Sequence, residues 1–298
     1  SCYFSNSGQS WKEKRGGCIM NKKLHIGKSF IYLFLSVAVV MYIFPFVLII
    51  LNSFKSNGEI LENPFSLPKT LNFNHFIEVV DKMNFKTTFT NSLIISVASI
   101  ALILLFSSMC AYWLVRNKNK FNNTFFLVLV AAMIIPFQSL MIPLIYIYGA
   151  RLGLIQTMPI PLLIFLYAGF GSPMSVFIYH GFIKTIPIEL EEASRIDGCS
   201  KIQTFFKIVL PMLKPTSVSL LILNALWIWS DYLLPSLILR QEEFYTMPIK
   251  MKVFNGTYMN NWELLIPALL LTILPLLVVY FIAQKSIIEG VTQGSVKG

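Results

Sequence analysis

Six long apolar runs constrain this chain more than anything else in it. They fall at roughly 29–53, 87–115, 123–147, 160–183, 215–239 and 264–283. A helix crosses a bilayer with about 20 mostly apolar residues, and each run is long enough. Within hydrocarbon every backbone N–H and C=O must be satisfied internally, so only helices and closed barrels can span. Barrel strands would show short alternating segments, and these runs are continuous. Apolar residues make up 55% of the chain and charged residues only 13%, with mean hydropathy +0.67, which excludes an ordinary soluble domain. The expected fold is an all-α polytopic membrane protein with six transmembrane helices.

The basic residues set the orientation. With the N-terminus inside, sixteen of the 24 Lys and Arg fall on the inner side and eight on the outer. Cytosolic segments carry that excess, so both termini are expected in the cytosol. The net charge of +10 is then accounted for by orientation and by anionic membrane lipid, with no nucleic acid required. The first run is too long for a signal peptide and lacks a small-residue cleavage site. The chain divides into a cytosolic segment 1–28, a first span with its outer loop over 29–86, a core over 87–283, and a cytosolic tail over 284–298. Residues 1–19 lack periodicity, whereas Met20-Asn21-Lys22-Lys23 reads as a bacterial start. They are expected to be a non-native leader from an over-extended reading frame. The four cysteines, Cys2, Cys18, Cys110 and Cys199, suggest neither a disulfide nor a metal site.

Among the loops, residues 184–214 carry the most information. Pro187 presets φ at a helix start, and Glu189, Glu191 and Glu192 favour the positive end of the helix dipole. Leu190, Ala193 and Ile196 recur at helical spacing and form an apolar face. Gly198 permits a tight turn where a side chain would clash. A second helix is expected from about Ser200, with Ile202, Phe205, Phe206, Val209 and Leu210 on its apolar side, ended by Pro211 and Pro215. Such a hairpin could rest on lipid headgroups. Three acids in one turn would be repelled by an anionic surface, so a protein partner fits better.

That loop also carries a spaced motif: Glu192-Ala193-Ser194, three residues, Gly198, nine residues, Ile208, one residue, Leu210-Pro211. It resembles the signature of permease subunits of ABC importers, Glu-Ala-Ala at its start, and departs from it only at Ser194. Fragments elsewhere resemble the carbohydrate branch of that family, of the maltose type. They include Asn52-Ser53-Phe54-Lys55, Asn91-Ser92-Leu93, Ala111-Tyr112, Ile135-Pro136, Leu152-Gly153-Leu154 and Ile196-Asp197-Gly198. Trp229-Ser230-Asp231-Tyr232 resembles the branch's Trp-Asn-acid-aromatic segment, with Ser230 a departure, and the tail from Gly290 resembles its glycine-rich end.

The resemblance implies a type I ABC importer fold in a bacterial cell membrane, with a cytosolic coupling hairpin at 184–214. It implies an extracytoplasmic sugar-binding protein, a second permease subunit and an ATPase dimer that uses ATP and Mg, with no cofactor bound by this chain. Glu192, Ala193, Ser194, Asp197 and Gly198 would meet the ATPase. Ile208, Leu210 and Pro211 would fasten the hairpin to its own helices.

No Gly-x-x-x-x-Gly-Lys-Ser/Thr loop occurs, so the chain is not its own P-loop motor. No catalytic constellation is present either, and His25, His75 and His180 read as structural. Asp231 is an acid within an apolar run, a position that defaults to function. With Asn224, Trp227, Ser230 and Tyr232 it could line a sugar path. The alternative is an interfacial aromatic belt with the acid close to the outer headgroups. Two other functions remain open, a permease of the same superfamily for a non-sugar solute and an autonomous secondary carrier. The carrier would predict inverted repeats or paired intramembrane charges.

Overall fold

The computed structural model describes residues 10–254 and 261–295, with side chains described for 31–254 and 261–284. The first half of the leader expected over 1–19, and the end of the glycine-rich tail, lie outside the described residues. Among the described residues only helices and turns form. They divide into two units, residues 1–72 and 73–298.

The first unit holds α1 (Ser10–Asn52) and α2 (Asn57–Glu62). From Ile31 onward α1 is apolar and exposed along its length, as suits a helix whose solvent is lipid. The polar motif after it folds back on itself. Lys55 is fully buried, and its ammonium donates to the carbonyls of Asn63 and Pro64 at 3.2 Å each. Asn52 donates to Pro64 O at 2.9 Å, and a Ser56/Glu59 capping box starts α2.

The second unit runs through α3 (Asn74–Lys82), α4 (Phe85–Arg116), α5 (Lys120–Ala132), α6 (Phe137–Leu144), α7 (Leu154–Thr157) and α8 (Pro159–Ile183). It continues with α9 (Glu189–Ile196), α10 (Lys201–Thr204), α11 (Leu210–Met212), α12 (Lys214–Ser230), α13 (Leu233–Ile238), α14 (Met247–Lys250) and α15 (Trp262–Ser295). The packing centre is the pair α4 and α8. Small buried residues of α4 (Ser92, Ser96, Ser99, Ser107 and Ala111) let helices approach closely. On α8, Gly171 meets Ile103 so tightly that a Cβ there would lie 2.6 Å from the isoleucine Cδ1. Asn91 and Ser92, from the second-run motif, bind the segment that leads into α14. Asn91 donates to the carbonyls of Glu243 and Tyr245, and Ser92 Oγ accepts from the Met247 N–H.

Two expected runs are not continuous helices. Run three breaks between α5 and the segment from Phe137 to Arg151, which bend by 95°. Pro136 has no N–H to offer and disfavours helical ψ at Ile135. Run five breaks at Asp231, between α12 and α13. Among the described residues four helices are long and apolar enough to cross a membrane, or up to six if two bent pairs, Lys120–Ala132 with Phe137–Arg151 and Lys201–Met212 with Lys214–Ser230, are each one span.

Candidate functional site

The loop at 184–214 forms two helices closed by a turn. Helix α9 begins at Glu189, two residues beyond Pro187. It ends in a Schellman motif, with Cys199 N–H donating to Ser194 O and Gly198 N–H to Arg195 O, both at 3.0 Å. Gly198 sits at φ +85°, the left-handed region. A Cβ there would meet nothing within 4 Å, so the conformation demands glycine and crowding within this chain does not. Ser200 and Gln203 then form a capping box at the start of α10.

Pro211 does not end the second helix. A π-helical turn over Phe205–Val209 precedes it, with the Leu210 N–H reaching back to Phe205 O, and the helix continues to Met212. The break comes at Leu213 instead, where the chain bends by 73° into α12. Phe205 and Val209 sink into a cluster with Ala111, Val115, Tyr179, Ile183 and Leu213. Leu210 packs against that cluster and Ile208 is half-buried, whereas Pro211 is exposed.

The orientation of α9 reverses the usual sense of an amphipathic helix. Its apolar stripe points outward, with Leu190 44% and Ile196 87% exposed and Ala193 beside them. The acid Glu191 and Ser194 form the buried face. Tyr112 donates its hydroxyl to Glu191 Oε2 at 2.8 Å, and Arg116 Nε donates to Oε1 at 2.7 Å. Arg116 Nη2 also donates to Ile186 O at 3.1 Å. The C-terminal end of α4 therefore grips both the acid and the chain entering the hairpin. Ser194 Oγ bonds Glu191 O at 2.8 Å and pairs with Thr204 Oγ1 at 2.9 Å, joining the two hairpin helices. Glu192, Ala193, Asp197 and Gly198 are all exposed. The residues expected to meet a partner thus lie together on an outward surface, except Ser194.

The second group gathers where run five breaks. Asp231 Oδ2 accepts from the Tyr167 hydroxyl of α8 at 2.9 Å. Its Oδ1 accepts from the Leu233 N–H at 2.8 Å, holding the start of α13. Leu223, Leu226, Trp227 and Ser230 form the exposed face of α12, with Tyr232 exposed just beyond. Trp227 also makes an edge contact with Tyr167, centroids 5.4 Å apart. Asn224 lies on the other face, donating to Leu220 O at 2.8 Å and Ser175 Oγ at 3.4 Å. Trp229 is buried too, its indole donating to Thr272 O at 2.9 Å. The break therefore brings together Trp227, Ser230, Asp231 and Tyr232 and leaves Asn224 with the core. Among the described residues, no group of three His, Cys, Asp or Glu could hold a metal ion.

The model of binding-protein-dependent transport system inner membrane components matches residues 103–292, which include the whole hairpin and the Asp231 break. The chain belongs to this family. It is an inner membrane transport subunit, and its family works with a separate binding protein and ATPase.

Among this inner membrane component's relatives is a protein of Thermoanaerobacterium thermosulfurigenes named as a probable starch degradation products transport system permease. It is 40% identical over 93% of this chain and 99% of its own length. A multiple sugar-binding transport system permease of Streptococcus mutans is 33% identical over 93% and 100%. A melibiose/raffinose/stachyose import permease of Bacillus subtilis is 35% identical over 85% and 91%. In structure the chain is similar to a bacterial ABC transporter involved in import of the acidic polysaccharide alginate. The TM-score is 0.71 over 96% of this chain and 99% of that one, and at 22% identity this likeness speaks for the fold alone.

Sequence reasoning passed over Glu191, Arg116, Tyr112, Thr204 and Tyr167. Glu191 read as one of three dipole-facing acids, and Arg116 as an orientation charge. Their partnership spans 75 residues of sequence, and no local pattern encodes it. The one available signal was local: three acids crowd the first turn of one short helix.

Proposed function

We propose that this chain is one of two unlike permease subunits of an ATP-driven importer. It would form half the membrane path for a sugar, an oligosaccharide by the kinship of its relatives. The relatives named for starch products, multiple sugars and melibiose-type oligosaccharides support that substrate class over a non-sugar solute. An extracytoplasmic binding protein delivers the sugar, and an ATPase dimer consumes ATP and Mg outside this chain.

In this reading the chain crosses the membrane six times with both termini cytosolic. Helix α12 has 17 residues, or about 25 Å at 1.5 Å per residue, short of the roughly 30 Å hydrocarbon core. Helix α13 beyond Asp231 supplies the rest of the fifth span. The bent pair from Lys120 to Arg151 is the third. Trp227, Ser230, Asp231 and Tyr232 face the sugar path where the two permeases meet.

The observation that carries the reading is the outward apolar stripe of α9. Ile196 is the most exposed large apolar residue described in the second unit, on a helix anchored through its other face by a buried ion pair. A membrane surface does not suit that face, because Glu192 and Asp197 flank it. A cleft in a protein partner does. Closure of the ATPase would press on α9, and Arg116 would pass the displacement to α4.

The direct test is a mild-detergent pull-down of the tagged chain at native expression level, with mass spectrometry of its companions. A P-loop ATPase and a second permease are expected. Recovery of the chain alone would end the importer reading. The Gly198→Val variant sharpens the docking geometry. Strain at positive φ is of order 1–2 kcal/mol, too little to prevent insertion, so uptake should fall while membrane yield holds. Normal uptake would count against close approach of the partner at this turn.

A further inference from the structure

We propose that the groove between the inner end of α4 and the α9–α10 hairpin binds the phosphate headgroup of an anionic glycerophospholipid. The inference rests on the proposed cytosolic placement of the hairpin.

The groove encloses about 530 Å³. Arg116, Arg195 and Lys201 line it, and no carboxylate does. Glu191 lies behind Arg116 and is already engaged at both oxygens. Arg195 interacts with the neutral Tyr112 hydroxyl. Among the described ion pairs neither Arg195 nor Lys201 has a carboxylate, so both bring charge for a ligand to neutralise. The rest of the lining includes Trp113, Phe205 and Phe206, unusual company for two cations facing bulk water.

The apolar side shows where the ligand would come from. Phe106, Met109 and Trp113 follow one another at helical spacing on α4, and they are 57%, 40% and 56% exposed. This stripe runs down the apolar helix and ends at the basic rim. A molecule with an anionic head and an acyl tail matches both parts at once, the tail along the stripe and the phosphate between Arg195 and Lys201. Tryptophan at the headgroup level is the usual marker of that depth. None of Glu192, Ala193, Ile196, Asp197 and Gly198 lines the groove, so a lipid there does not need the residues proposed to meet the ATPase. A headgroup wedged between α4 and α10 would brace the same junction that Arg116 and Glu191 hold.

The test uses the full chain with its companions, extracted from membranes and reconstituted in nanodiscs of phosphatidylcholine and phosphatidylglycerol. Native mass spectrometry reads the retained lipid. The wild type should retain phosphatidylglycerol in preference to phosphatidylcholine. The Arg195→Gln/Lys201→Gln double variant should lower that preference about tenfold or more, since each cation near an anionic surface is worth roughly fivefold. The charge-conserving Arg195→Lys/Lys201→Arg pair should keep it, which separates ligand binding from a folding defect. Glycerol phosphate, which carries the head without tails, should compete poorly.

Equal retention in the double variant and the wild type would overturn the proposal. So would full competition by glycerol phosphate, which would make the ligand a soluble phosphate. Loss of the ATPase without loss of phosphatidylglycerol would assign the groove to protein docking instead. Labelling of Cys199 by an impermeant maleimide tests the placement separately. Reaction in inverted vesicles and not in right-side-out ones keeps the hairpin in the cytosol whatever the lipid result.

Discussion

The hairpin and the break in the fifth run each hold one acid, and they hold it in opposite ways. Glu191 is fully buried and meets a cation, with Arg116 and Tyr112 taking both its oxygens. Asp231 is half-buried and, among the described residues, meets two neutral donors, the Tyr167 hydroxyl and the Leu233 N–H. A buried acid with a charged partner is committed to one geometry, because either charge alone is costly there. An acid held by neutral donors beside an exposed face keeps lone-pair capacity for another ligand. The first arrangement is that of a strut, and the second leaves an edge open.

The largest expected effect breaks the first member of the pair. Glu191→Ala strands Arg116 next to the hairpin, and loss of one partner of a buried pair costs about 3–5 kcal/mol. Thermal unfolding of the purified complex should fall sharply, and uptake should vanish with it. A variant as stable as the wild type would remove the strut from the account.

A smaller effect follows at the break. Asp231→Ala leaves the Tyr167 hydroxyl and the Leu233 N–H without their acceptor, at a cost of about 1–3 kcal/mol. Asp231→Asn keeps one acceptor, enough for the Leu233 N–H, and its amide N–H can donate to the Tyr167 oxygen instead, so it should be milder in stability. The two readings of Asp231 separate in that second variant. If it lies on the sugar path, half-maximal uptake shifts to higher sugar concentration at unchanged stability. If it only caps α13 within an aromatic belt, the uptake curve does not move.

The smallest effect concerns the one departure from the family signature. Ser194→Ala restores the Glu-Ala-Ala pattern but leaves Thr204 Oγ1 without Ser194, a loss of about 1 kcal/mol. Ser194→Ala/Thr204→Val removes both hydroxyls and should recover most of it. Urea or thermal titration of the two variants gives the comparison directly, and additive losses would deny the pair.

How much was legible follows from the range of each interaction. Apolar runs predict helices because burial in lipid acts on about 20 consecutive residues. The runs at 87–115 and 160–183 accordingly appear as Phe85–Arg116 and Pro159–Ile183. The hairpin's turn was legible too, since a Schellman glycine and a capping box are local chemistry. Less legible were the breaks. Pro136 stops its helix, while Pro143, Pro267 and Pro275 lie inside theirs, so proline alone did not separate kink from stop. Pro211 was expected to end a helix and does not, because the π-helical turn before it shifts the backbone register.

By itself, then, the sequence determined a helical chain built for lipid, a motif loop between its fourth and fifth runs, and membership of a transport family. Those properties depend on composition and on spacing over a few tens of residues. Only the tertiary structure decided that α9 presents its apolar stripe outward and hides Glu191. Periodicity shows that a helix has two faces, and the partner packed against it chooses which is buried. Here that partner is Arg116, 75 residues back in the chain, whose largely buried guanidinium would lose its counter-ion if α9 turned its apolar stripe inward.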